Sequence, residues 1–116
     1  MRLVVDTNVL VAELLRNRGV ALINSQNFEL SLAEKMKNEV QYELQKRVSI
    51  MVNKAKFTPE QGQFQLEVAL GIIDRKIVTV PLSYYKSFET EARKRIPREP
   101  NDWETVALAL ALSAAI

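Results

Sequence analysis

The chain has 116 residues, 47% of them apolar and 26% charged, enough for one buried core without disulfides or structural metal. It contains no Cys and no His, which excludes thiolate nucleophiles, thiolate-bound zinc or iron–sulfur clusters, imidazole bases and every Ser-His or Cys-His arrangement. A metal used by such a chain is held by oxygen, which means a hard cation such as Mg²⁺ or Mn²⁺. Sixteen Lys and Arg against 14 Asp and Glu leave a net charge of +2, which permits nucleic-acid binding without demanding it. The longest unbroken apolar run, Val106 to Leu112, is far short of the ~20 residues of a membrane span. Arg2 and Asp6 bracket too short an apolar stretch for a signal peptide. A soluble, cytoplasmic protein with no membrane partner is expected.

In chain order, Leu3-Val4-Val5 reads as a short strand buried on both faces, as in a parallel sheet. A helix over Val9–Arg16 follows, with Asp6, Thr7 or Asn8 at its N-cap and Gly19 as its stop. Val20–Ser25 reads as a short helix and Phe28–Leu32 as a second strand. Ala33 to about Lys54 is a long helix whose core face is Met36, Val40, Leu44, Val48 and Met51. Thr58-Pro59 starts another helix, with Thr as cap and Pro at the first helical position. It carries Phe64, Val68 and Ile72 and ends near Asp74. Ile77–Val80 is a third strand, closed by Pro81. Leu82–Arg95 is expected to be helical, Pro97 and Pro100 bracket a loop, and Asn101–Ala114 is a helix apolar all round and so buried. Ile116 reads as the first residue of a further strand. This alternation predicts an α/β fold, a parallel sheet sandwiched by helices, with ligands at the carboxyl ends of the strands.

Several carboxylates fall where chemistry is expected. Asp6 directly follows the first strand, where it either caps the next helix or faces the site. Asp102 opens the last helix, where Asn101 and Glu104 also spell a capping box. Glu39 and Glu43 lie four apart on one flank of the long helix, a spacing that also suits a solvated flank pairing with Lys46 or Arg47. Arg93, Lys94, Arg95 and Arg98 cluster before Asp102, where they could hold phosphates or serve as cations near a helix C-terminus. Tyr84, Tyr85 and Trp103 could stack on bases, though core positions are expected for at least two of them.

The segment Val4-Val5-Asp6-Thr7-Asn8-Val9-Leu10-Val11 resembles the opening of PIN-domain ribonucleases, the family that includes the VapC toxins. Arg98-Glu99-Pro100-Asn101-Asp102-Trp103, followed by the Ala/Leu-rich helix, is similar to the family's Arg-Asp-Pro-x-Asp-Trp segment. Glu39 sits between them, where the family places a helical glutamate. The resemblance spans the whole chain and implies one PIN-like three-layer domain over residues 1–116. It also implies a Mg²⁺- or Mn²⁺-dependent endoribonuclease, the toxin of a toxin–antitoxin pair. Asp6, Glu39 and Asp102 would be the catalytic metal ligands, Thr7 and Asn8 would orient them, and Glu43 and Glu99 are the alternative acids.

Arg93, Lys94, Arg95 and Arg98 would then face RNA. An antitoxin protein and a second copy of the chain are the other expected partners. The family's fourth acid follows a Trp-Thr-x-Asp segment that this sequence does not contain, and its final strands are expected to be missing. The alternative expectation is therefore a catalytically inactive PIN-like remnant that binds RNA or a protein.

Overall fold

The computed structural model describes residues 2–25, 28–97 and 102–116. Three short strands, β1 (Arg2–Val4), β2 (Glu29–Ala33) and β3 (Ile77–Val80), form one sheet in the order β1-β2-β3. Both pairings are parallel, with Leu3 opposite Leu30 and Leu30 opposite Ile77. Parallel neighbours need crossovers, and here helices supply them. α1 (Thr7–Leu14) and α2 (Asn17–Ile23) link β1 to β2, and α3 (Glu34–Asn53) and α4 (Pro59–Lys76) link β2 to β3. After β3 come α5 (Leu82–Tyr85), a 3₁₀ turn (Lys86–Phe88), α6 (Glu89–Arg95) and α7 (Trp103–Leu112). The fold is thus α/β, a parallel sheet flanked by helices. Among the described residues no helix is long and apolar enough to cross a membrane.

The core runs through the middle of the sheet. Leu32 and Ala33 of β2 are buried with Val11 and Leu14 of α1, Val40 and Leu44 of α3, Ile72 and Ile73 of α4, and Leu108 of α7. The periodic stripe of α3 behaves as its spacing predicts: Met36, Val40, Leu44 and Val48 are buried, and Met51 is half-buried. Thr58 caps α4 through a full capping box. Its hydroxyl accepts from the Gln61 amide at 3.1 Å, and Gln61 Oε1 accepts from the Thr58 amide at 2.9 Å. Further along the chain, Phe64 is exposed and Val68 is half-buried.

The structure departs from the sequence reading in four places. Gly19 does not end the first helix; α1 stops at Leu14, and Gly19 lies buried inside α2. A Cβ there would collide with the Glu13 carbonyl, so the glycine serves close approach rather than termination. The expected helix over Leu82–Arg95 is broken into α5, the 3₁₀ turn and α6. The first strand is fully buried on one face only, at Val4; Leu3 and Val5, which face the other side, are half-buried. α7 ends at Leu112, two residues early, because Ser113 turns left-handed at φ 52.

That turn sends the chain back along β1. The Val4 amide donates to the Ala115 carbonyl at 2.8 Å, and Ala115 bridges Leu3 in parallel sense. A cavity of about 330 Å³ opens beside this edge. Leu3, Val5, Val9, Leu22, Phe28 and Ile116 line it, with Asp6 and Glu13 as its charged residues.

Candidate functional site

The first acid stands where β1 gives way to α1. Asp6 is the N-cap of α1, half-buried, with extended backbone at φ −78 and ψ 136. Its Oδ2 accepts from the Val9 amide at 3.3 Å, so one carboxylate oxygen answers an orphan helix donor. Thr7 is buried, and its Oγ1 meets no hydrogen-bond partner among the described residues. Asn8 is exposed.

The second element is α3. Lys35, Glu39 and Glu43 succeed one another at four-residue spacing, which sets them along one side of the helix. Glu39 is exposed and Glu43 half-buried. The third element is α7, which packs against α3, β1 and β2. Asp102 is its N-cap, exposed, and makes no side-chain cap hydrogen bond.

Electrostatics show what the topology brings together. The Glu39 carboxyl is raised above its usual 4.5, first by desolvation and then by the charges of Asp102, Glu43, Asp6 and Glu104, in that order. Four acids from three separate stretches of chain therefore act on one carboxylate. Like charges so placed disfavour ionisation, and a cation or cationic group among them would relieve the repulsion. Proximity of charge is looser than chelation, however. Among the described residues no group of three acids is close enough to hold a metal ion.

The sequence reading did not foresee the role of Glu104. Its side chain is 6% exposed and accepts from the Tyr85 hydroxyl at 3.1 Å, with Lys35 Nζ 3.9 Å from the same oxygen. Burial, then the charge and hydrogen bond of Glu104, raise the Tyr85 phenol above its usual 10.0, while the Lys35 backbone amide opposes them. The signal was present in the sequence: Glu104 is the charged residue in an otherwise uncharged run from Trp103 to Ile116. A charge in a helix that is apolar all round must be paired, because burying it alone is costly.

Two residues of the basic cluster are committed within their own helix. Arg93 Nε donates to Glu89 Oε2 at 2.8 Å, and its guanidinium lies 5.2 Å from the Trp103 ring centre. Arg95 Nε donates to Glu91 Oε1 at 3.2 Å. Lys94 is exposed, and Arg98, Glu99 and Asn101 lie outside the described residues. Of the three aromatics, Tyr85 is fully buried, Trp103 half-buried and Tyr84 56% exposed.

A parallel sheet flanked by helices defines the class: an α/β domain, here with Asp6 after the first strand and Asp102 at the start of the last helix. The comparison with known families narrows it. The PIN-domain family model matches residues 4–116, and the chain belongs to that family. No curated protein matches the sequence.

Proposed function

We propose that this chain acts as a PIN-type binding module that holds RNA or a protein partner without hydrolysing it. The observation that carries this reading is the spacing of the acids: among the described residues no three stand close enough to chelate an ion. Two of the carboxylates near Glu39 also have other partners, Asp6 the Val9 amide and Glu104 the Tyr85 hydroxyl. An all-oxygen donor set has the right chemistry for Mg²⁺ or Mn²⁺, but the arrangement does not fit a chelated ion.

A second reading is a Mg²⁺- or Mn²⁺-dependent endoribonuclease, the toxin of a toxin–antitoxin pair in the cytoplasm, with Asp6, Glu39 and Asp102 as its ligands. What favours it is the convergence of Asp102, Glu43, Asp6 and Glu104 on Glu39. In that case Thr7 and Asn8 would orient the ligands, an antitoxin protein or a second copy of the chain would be the protein partner, and Arg93, Lys94, Arg95 and Arg98 would contact RNA.

One experiment separates the two. The chain is titrated with Mn²⁺ and then incubated with RNA, beside Asp6→Asn, which keeps a cap acceptor and removes the charge. RNA retention without cleavage, unchanged by Mn²⁺, is the expected outcome. Saturable Mn²⁺ uptake with cleavage that Asp6→Asn abolishes would replace the binding reading with the nuclease.

A further inference from the structure

The contacts around Glu104 serve neither as a helix cap nor as part of a chelate. α7 starts at Asp102 with no side-chain cap, and α3 starts at Ala33 with none either. Uncapped helix starts carry unsatisfied backbone donors and fray unless something else holds them. Here the holding groups are side chains from three elements. Glu104 in the first turn of α7 meets the Tyr85 hydroxyl from the end of α5 and the Lys35 ammonium from the first turn of α3. On the same turn, Trp103 packs against the Tyr85 ring, with centroids 6.0 Å apart, and beneath the Arg93 guanidinium.

We infer that Tyr85, Glu104 and Lys35 form a latch that fixes the first turn of α7 against the start of α3 and so positions Asp102 relative to Glu39. The inference rests on the acidic face being the working face of the fold, whether it attracts a cation or a partner. Lys35 precedes Glu39 by one helical turn on the same side of α3, so a contact at Lys35 sets the placement of α7 along the line that carries Glu39. Asp102 is two residues from Glu104 and makes no side-chain cap bond of its own. Its placement therefore follows from the turn that Glu104 and Trp103 hold. Tyr85 and Glu104 are positioning residues.

Trp103 is the chain's one tryptophan and reports on this turn. Tyr85→Phe removes the hydroxyl and keeps the ring, Glu104→Leu removes the acceptor, and Glu104→Gln keeps an acceptor oxygen. The first two are expected to shift Trp103 emission to the red and to raise exchange of the first ladder-bonded amides of α7, residues 106–108, by about tenfold, the scale of one lost charge-assisted hydrogen bond. Glu104→Gln should stay near the wild type in both.

Dilute Mn²⁺ then serves as a paramagnetic probe. In the wild type, ion drawn to the acidic charge without being chelated should broaden the carboxyl resonances of Asp102 and Glu39 together. In Tyr85→Phe the broadening at Asp102 should fall relative to that at Glu39. Val48→Ala, farther along α3, should lower Tm without altering that ratio.

Unchanged emission and exchange in both Tyr85→Phe and Glu104→Leu would overturn the latch. Changed emission with an unchanged broadening ratio would reduce it to a brace and overturn the positioning role. Absence of broadening at either carboxyl in the wild type would overturn the acidic-face reading, and with it the positioning role, while emission and exchange would still decide the latch.

Discussion

The starts of α1 and α7 look alike in sequence, an Asp ahead of an apolar helix, yet they are held in different ways. At α1 the acid itself does the holding, since Asp6 caps the helix through the Val9 amide. At α7 Asp102 caps nothing, and the turn is held by Glu104 and Trp103 instead. The difference teaches that an acid at a helix start need not be tied to its own helix when side chains from other elements hold that start. Where tertiary contacts secure the helix, as at α7, the N-terminal carboxylate need not cap it; both acids act on Glu39, Asp102 more strongly than the capping Asp6.

Substitutions at four positions would break or sharpen this comparison. The largest effect is expected from Tyr85→Phe. It leaves a buried carboxylate short of a donor and should cost about 2 kcal/mol in urea unfolding. Asp6→Ala removes a working cap and should cost about 1 kcal/mol, whereas Asp6→Asn should retain most of the stability. Asp102→Ala should change stability by less than about 0.5 kcal/mol, because no cap bond is lost. A loss as large as that of Asp6→Ala would mean that the two helix starts are held alike.

The smallest effect belongs to Glu39→Gln, and its sign is the informative part. The carboxyl of Glu39 is raised in the folded state. Above the usual 4.5, the unfolded chain has released the proton while the folded chain still holds it. Stability contributed by the protonated group is present at low pH and lost as pH rises through the raised value. Glu39→Gln should remove that loss and raise Tm slightly at neutral pH. A fall in Tm would show that Glu39 has a favourable partner.

Much of the fold was legible because local rules and tertiary demands agree in it. Ile77–Val80 is a strand as read, and the Thr58-Pro59 start and the α3 stripe follow directly from cap chemistry and helical spacing. Two of the readings that failed depend on contacts between separate elements. Gly19 reads locally as a stop, and only its closeness to the Glu13 carbonyl shows why glycine is required. Glu104 reads as the capping-box acid three residues after Asn101, and only the packing of α5 and α3 against α7 reveals its partners.

The presence of Asp6, Glu39 and Asp102 at three separate places along the chain was determined by the sequence alone, as was the absence of every His- or Cys-dependent chemistry. How close those acids stand was decided by tertiary structure. Sequence spacing fixes which side of a helix a residue takes, because helical geometry is local. The separation between an acid on α3 and one at the start of α7 depends on the contacts that join the two helices, among them Lys35 with Glu104.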